Sequence, residues 1–317
     1  MTFPGSQHAA RARPTARFWV VAVLSGVLIG LSASAVSLAA TAPELEPQAE
    51  RVVTPPVPET VSTLPQPLVS AVPAAASLCA LPAVQAALAA GDDGAVIAAS
   101  GGASQFRQAI AGGAAPCIPL SDPGRVWVVV NKQRPCDPID FSPPGLAAPA
   151  STRNLADTAL REDAAAALAG MLAAAASSGA GELALDSGFR SFETQRTTYA
   201  TRVDARGQAG ADLISARPGF SEHQTGLAAD VVACAGGGCG TIEQLAATPQ
   251  GAWVAEHAWE HGYIVRYLDG QTPVTGYQPE PWHLRYIGPE LARAYHDGGF
   301  RTLEEFFGLP AAPDYAG

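Results

Sequence analysis

The spacing of apolar and polar positions changes several times along this 317-residue chain. The chain opens with an unbroken apolar stretch: residues 18–40 carry no charge, and Arg11, Arg13 and Arg17 precede them with no acidic residue. Basic residues ahead of such a run form an export signal, and at about 1.5 Å per residue the run spans a bilayer core of roughly 30 Å. The expectation is a basic cytoplasmic tail (1–17) and a single-pass membrane anchor (18–42), with everything beyond outside the cytoplasm. Small residues at Ala33-Ser34-Ala35 and Ala40-Thr41-Ala42 leave a cleaved signal peptide, and hence secretion, as the alternative.

Periodicity disappears between residues 43 and 73, where Pro, Thr, Ser, Val and Glu dominate. Such a stretch buries too little surface to fold alone and reads as an extended stalk. Residues 74–120 are Ala- and Gly-rich, with short helical patterns at 81–90 and 105–111 flanked by Cys79 and Cys117. So small an apolar set makes a poor core, and a bridge between those cysteines compensates in an oxidising compartment. Cys136 remains an alternative partner for either one.

A compact domain is expected over 121–310, leaving a short tail at 311–317. Its β-branched run at 126–131 predicts a strand, and an Ala-rich helix follows at 156–176. Further along, the pattern predicts a strand at 183–186, a helix from near Ser191, a strand at 227–233, a helix at 253–261 stopped by Gly262, and strands at 263–267 and 282–287. Helices and antiparallel-capable strands alternating this irregularly indicate an α+β fold, a small mostly antiparallel sheet flanked by helices, rather than a doubly wound parallel sheet.

Composition narrows the partners. The net charge is -10 and no Lys/Arg cluster follows the N-terminal segment, which excludes the phosphate-backbone contacts that nucleic-acid binding requires. Aromatic residues, only 7% of the chain, concentrate after Phe189 and support placing the core there. Cys234 and Cys239 read as a disulfide, because a lone pair with four residues between its members lacks the second half of a structural zinc site.

Candidate chemistry lies in two segments. In the first, His223 sits in a Gly-containing loop and Asp230 follows seven positions later inside the apolar run Ala-Ala-Asp-Val-Val, where an ionised carboxylate is costly unless paired or metal-bound. The second is Glu280-Pro281-Trp282-His283, where Pro281 biases Glu280 away from helix. Two histidines and one carboxylate leave a fourth zinc position open for water, the layout of a hydrolytic site, and Glu280 fits the role of a carboxylate that takes the proton.

These segments resemble the VanY-type D,D-carboxypeptidases and their D,D-dipeptidase relatives. The matching runs are Val-Asn-Lys-Gln-Arg-Pro at 130–135, Ser-Gly-Phe-Arg-Ser at 187–191 through Gln195, Ala-Arg-Pro-Gly-Phe-Ser-Glu-His-Gln-Thr-Gly at 216–226 through Asp230, and Glu-Pro-Trp-His at 280–283. They fall in the family's order between about 126 and 307. The resemblance implies the single-zinc D,D-peptidase fold shared with the hedgehog-like proteins. Its one Zn²⁺ would be held by His223, Asp230 and His283, with Glu280 as the base and Arg190 as the oxyanion stabiliser. Gln195, Ser221 and Trp282 would line the substrate pocket. The implied partner is the peptidoglycan stem peptide and the implied reaction is hydrolysis of its terminal D-Ala-D-Ala bond, at the outer surface of the membrane. Cys136, where an aliphatic residue is expected, and the inserted Cys234 to Cys239 loop depart from the family pattern.

Three rivals stand beside this reading. One is an endopeptidase of the same fold, and another is a non-catalytic zinc-containing wall-binding module. The third moves the metal: His257-Ala258-Trp259-Glu260-His261 is formally an inverted zinc-peptidase motif, with two histidines four apart on one helix face.

Overall fold

The computed structural model describes residues 77–316. The expected tail, anchor and stalk lie outside the described residues. Among the described residues, no helix is long and apolar enough to cross a membrane.

Three short helices come first, α1 (Pro82–Ala90), α2 (Asp93–Ala99) and α3 (Ala103–Ala111). Asp92 caps α2 by accepting from the Ala95 amide, and the Cys79–Cys117 disulfide ties the segment's two ends together. This segment does not form a separate core. Val84, Ile97 and Phe106 belong to the main cluster, Phe106 packs on Trp127 with ring centroids 5.1 Å apart, and Arg107 donates to the Phe306 carbonyl. Apolar residues too few to fold alone are thus buried against the larger body.

The expected strand at 126–131 is not one. Val126 to Val130 are all buried, but their backbone is not paired with the sheet: Arg285 donates to the Val126 and Val128 carbonyls, and Val129 bonds back to Leu120. Buried β-branched residues satisfied by a guanidinium read in sequence like a sheet strand.

Three two-residue strands, β1 (Leu146–Ala147), β2 (Arg153–Asn154) and β3 (Leu160–Arg161), lead into α4 (Glu162–Ser177). The helix therefore starts six residues later than expected. It buries Ala164, Ala165, Leu168, Met171, Leu172 and Ala175, one apolar face at helical spacing, and packs on β4 (Glu182–Ser187). Ser191 caps α5 (Phe192–Asp212), whose helical run is interrupted at Gly207. Then come β5 (Ala228–Ala235), β6 (Gly238–Cys239), α6 (Pro249–His257), β7 (Tyr263–Tyr267), the single turn α7 (Thr272–Thr275), β8 (Glu280–Tyr286), α8 (Pro289–Asp297) and α9 (Leu303–Phe307).

The main sheet runs β2-β4-β5-β8-β7, with β6 added to β5. All its pairings are antiparallel except β2 with β4. Period-two alternation divides β4 and β5: Leu183, Leu185, Ala229 and Val231 face the main core, and Ala184, Val232 and Cys234 face a smaller cluster beside the Cys234–Cys239 disulfide. Cys136 stays a free buried thiol, pushed up to about 12 by its burial. The short tail after residue 310 lies against the domain: Ala312 is buried, the Tyr315 hydroxyl accepts from the Arg217 amide, and Lys132 donates to the Pro313 carbonyl.

Candidate metal centre and catalytic cleft

In the β5–β8 register Asp230 stands directly opposite His283. Opposed residues of an antiparallel pair project from the same sheet face, so two side chains 53 positions apart meet with the His283 Nδ1 3.1 Å from Asp230 Oδ1. His223 arrives from a different element. It lies in the 3₁₀ turn Glu222–Thr225, closed by Gly226 at φ +72°, and a Cβ at Gly226 would come within 3.1 Å of the Arg161 backbone nitrogen. The turn sets His223 Nε2 3.3 Å from Asp230 Oδ2.

Each imidazole is held from behind. His223 Nδ1 lies 2.7 Å from the Gly188 carbonyl, which fixes Nδ1 as the donor and leaves Nε2 facing Asp230. Gly188 has to be glycine, since a Cβ there would stand 2.5 Å from the Ala159 carbonyl oxygen. His283 uses the opposite tautomer, with its Nε2 3.2 Å from Glu222 Oε2 and its Nδ1 toward Asp230. One ligand atom each from His223, Asp230 and His283 therefore converge, all within 4.8 Å of one another and all buried. Two imidazole nitrogens and a carboxylate oxygen, each imidazole anchored by a hydrogen bond, fit a divalent cation with an open position.

Glu222 did not stand out in sequence. Its other oxygen receives Arg266 Nε at 2.9 Å and Arg285 Nη1 at 3.0 Å, and Arg266 continues to Glu304. Burial opposes ionisation of Glu222, but the two guanidiniums outweigh it and hold its carboxyl well below the usual range. The available signal was an arginine inside each of two apolar strands, Tyr-Ile-Val-Arg-Tyr and Trp-His-Leu-Arg-Tyr, each of which demands a carboxylate partner.

Charges inside the cluster follow the same logic. Burial would raise the Asp230 carboxyl, yet His223 and His283 hold it well below the ordinary range. Burial lowers His283, but its hydrogen bonds to Asp230 and Glu222 prevail and raise it to about 10. His223 is lowered, chiefly by burial. Glu280, the first residue of β8, places Oε2 3.9 Å from His283 Nδ1, beyond the three converging atoms. Its burial pushes it up to about 8 against the pull of His283, and Asp230 adds to the rise.

Arg190 completes the floor, with Nη2 bonded to Ser187 Oγ and 3.9 Å from Asp230 Oδ2, and Nη1 bonded to Gln195 Oε1. These residues line a cleft of about 360 Å³ together with Ser221, Trp282 and Tyr267. The expectation for Gln195 needs correcting. It is fully buried, and its amide bridges Arg190 to the Ala216 carbonyl, so it braces the arginine instead of facing the cleft.

The rival motif is not assembled. After α6 the chain tightens into the 3₁₀ turn Ala258–His261, so His257 and His261 are not one α-turn apart, and His257 Nδ1 pairs with Glu260 at 3.0 Å. Among the described residues, only His223, Asp230 and His283 form a group able to hold a metal.

A small mixed sheet carrying a His, Asp, His cluster under a polar cleft defines a candidate metallohydrolase. Comparison with known proteins makes the class specific. The VanY family model, described as D-alanyl-D-alanine carboxypeptidase, matches residues 157–289. The chain is 36% identical over 192 residues to the putative carboxypeptidase YodJ of Bacillus subtilis (strain 168), covering 59% of this chain and 69% of that protein. With a D-alanyl-D-alanine carboxypeptidase of Enterococcus faecium it shares 33% identity over 128 residues, 40% of this chain and 37% of that protein. Among solved structures it is similar to the LdcB LD-carboxypeptidase, with a TM-score of 0.54 and 36% identity over 58% of this chain and 86% of that one. The chain belongs to the VanY family of peptidases.

Proposed function

We propose that this protein is a zinc-dependent carboxypeptidase that releases the C-terminal D-alanine of peptidoglycan peptides ending in D-Ala-D-Ala. One observation carries the reading: three ligand atoms within 4.8 Å of one another lie at the floor of a cleft that also presents Glu280 and Arg190. His223 Nε2, a carboxylate oxygen of Asp230 and His283 Nδ1 would hold one Zn²⁺, which would supply Lewis-acid chemistry at the scissile carbonyl and acidify water.

The protein's own groups do the rest. Glu280, held apart from the three ligand atoms, takes a proton from the attacking water and returns it to the leaving amine. Arg190, fixed by Ser187 and Gln195, sets a positive charge where the carbonyl oxygen becomes negative. Glu222, accepting from Nε2, orients the ring so that His283 Nδ1 faces the site. Ser221 and Trp282 contact the peptide from the cleft wall. The domain acts outside the cytoplasm, tethered by the apolar segment at 18–42.

A second reading has its own support. The LdcB structural relative is an LD-carboxypeptidase, so the bond cut here could join an L-configured residue to the terminal D-alanine. Incubating full-length zinc-loaded protein with a stem pentapeptide and a stem tetrapeptide separates the two. D-alanine from the pentapeptide alone supports the first reading, and release from the tetrapeptide alone replaces it with the second. Release of an internal fragment without free D-alanine overturns both in favour of an endopeptidase.

A further inference from the structure

The run Val-Asn-Lys-Gln-Arg-Pro at 130–135 supplies no group to the cleft, yet its side chains are committed elsewhere. It folds into a tight turn in which Asn131 and Arg134 exchange both backbone hydrogen bonds. From that turn the buried Lys132 donates to the Gly276 carbonyl at 2.7 Å and to the Pro313 carbonyl at 3.1 Å, and Gln133 donates to the Asp314 carbonyl. The Ala312 amide donates to the Val274 carbonyl at 2.7 Å. Segments beyond a domain's last helix stay loose unless tied down, and these bonds lay this one beside α7. What they present is Tyr315.

The Tyr315 hydroxyl accepts from the Arg217 amide at 2.8 Å and lies 3.1 Å from the Tyr277 hydroxyl, groups 98 and 38 positions away. Its ring meets Phe220 edge-on at 5.1 Å and lies under the Arg217 guanidinium at 4.1 Å, which Asp212 holds through two bonds. Arg217 and Phe220 are the two ends of a turn that runs straight into Ser221 and His223. Tyr277 opens the segment that runs into Glu280, and its ring packs on Tyr267, which packs in turn on His283. Residues of both segments line the cleft, and Tyr315 does not.

We propose that Tyr315 is a positioning residue for hydrolysis: its hydroxyl pins the turn that delivers His223 to the segment that delivers Glu280, and Lys132 and Gln133 hold the backbone that presents it. The inference rests on the peptidase reading above. Glu280 has to stand at a set distance from the three converging ligand atoms to move a proton, and these groups arrive on different segments. One backbone bond joins the two segments directly, from the Gln278 amide to the Leu213 carbonyl. Tyr315 adds a second tie, nearer to His223 along the chain. A phenol suits the task, because a single hydroxyl accepts from an amide and pairs with another hydroxyl at once.

Full-length Tyr315→Phe tests this, since it keeps the ring and loses only the hydroxyl. On whichever stem peptide the wild-type protein cuts, kcat should fall about tenfold with KM and zinc stoichiometry little changed, part of the roughly 10²-fold that a 1 Å misplacement can cost. Tyr277→Phe should cost less in the Tyr315→Phe background than alone, because the two hydroxyls act through one contact. Amide hydrogen exchange on the metal-free protein reads the same restraint without turnover: Tyr315→Phe should quicken exchange in residues 216–223 and 276–280 more than in α4. Wild-type kcat in Tyr315→Phe, additive losses in the double variant, or faster exchange confined to residues 311–316 overturns the proposal. Exchange that quickens equally in α4 assigns Tyr315 to the fold as a whole and overturns it too. A wild-type protein that cuts neither stem peptide would show the reading of the reaction to be wrong, and the exchange comparison would still decide whether Tyr315 ties the two segments.

Discussion

Glu222 Oε2 lies 3.2 Å from His283 Nε2, and through that contact the candidate metal centre joins a buried ionic network that reaches Arg266, Arg285 and Glu304. The carboxylate orients an imidazole on one side and neutralises two guanidiniums on the other, so the site and the core depend on one side chain. Glu222→Gln should lower zinc affinity about 10- to 100-fold, the usual effect of losing a hydrogen-bond partner behind a metal ligand. It should also destabilise the fold by roughly 3 kcal/mol, because two buried guanidiniums lose their counter-charge. Zinc titration with a competing chelator and urea unfolding of the metal-free protein measure the two effects separately. Loss of affinity with unchanged stability would contradict the network.

Zinc should depend on the cleft histidines and not on the helical pair. His223→Ala is expected to bind no stoichiometric metal and to lose peptidase activity, whereas His261→Ala keeps both. Metal content by plasma emission spectrometry after gel filtration, read beside D-alanine release, decides the matter. The reverse outcome would move the chemistry to α6 and its following turn.

Glu280→Gln removes the proton carrier but none of the three converging ligand atoms. The expected result is a kcat lower by about 10²- to 10⁴-fold with zinc stoichiometry retained and KM little changed. A variant that keeps most of its turnover would remove Glu280 from the mechanism.

Glu304 accepts from Asn131 and from Arg266, and although burial opposes it, these partners hold its carboxyl below the ordinary range. A carboxyl depressed in the folded state contributes stability that is fully present above its unfolded value of about 4.3 and is lost as pH falls through the folded value. Wild-type unfolding free energy should therefore drop steeply below about pH 4. Glu304→Gln should be less stable at pH 7 by roughly 2–4 kcal/mol and show a shallower acid slope. Urea midpoints between pH 3 and pH 7 provide the test, and parallel slopes for the two proteins would argue against this role.

The two disulfides should contribute unequally. Cys79–Cys117 closes a 38-residue separation and Cys234–Cys239 one of 5. Loop-closure entropy gives about 4 kcal/mol for the first and about 2 kcal/mol for the second. Paired Cys→Ala variants compared in urea should follow that order, with the larger loss loosening the packing of α1 to α3 on the core.

Much of the site was legible in the residues because its chemistry is written in short runs. Ser-Glu-His, the aspartate seven positions after that histidine, and Glu-Pro-Trp-His carry the three converging side chains and Glu280. Strand and helix positions around them followed from periodicity to within a few residues from β4 onward, where apolar spacing is regular. Prediction failed where burial and backbone pairing part company, as at Val126 to Val130, buried yet bonded to Arg285 instead of a strand.

What the sequence determined by itself is the inventory: which residue types can bind a metal, carry a proton or hold a charge, and the α+β order of elements that supplies them. Tertiary structure alone decided their relationships. Register across β5 and β8 put Asp230 opposite His283, the turn at Gly226 brought His223 to them, and packing of α5 turned Gln195 inward while leaving Arg202 and Arg206 on the cleft wall. The physical reason is range: periodicity reports a residue's own strand or helix, whereas the tautomer of an imidazole or the partner of a buried arginine is set by groups tens of positions away.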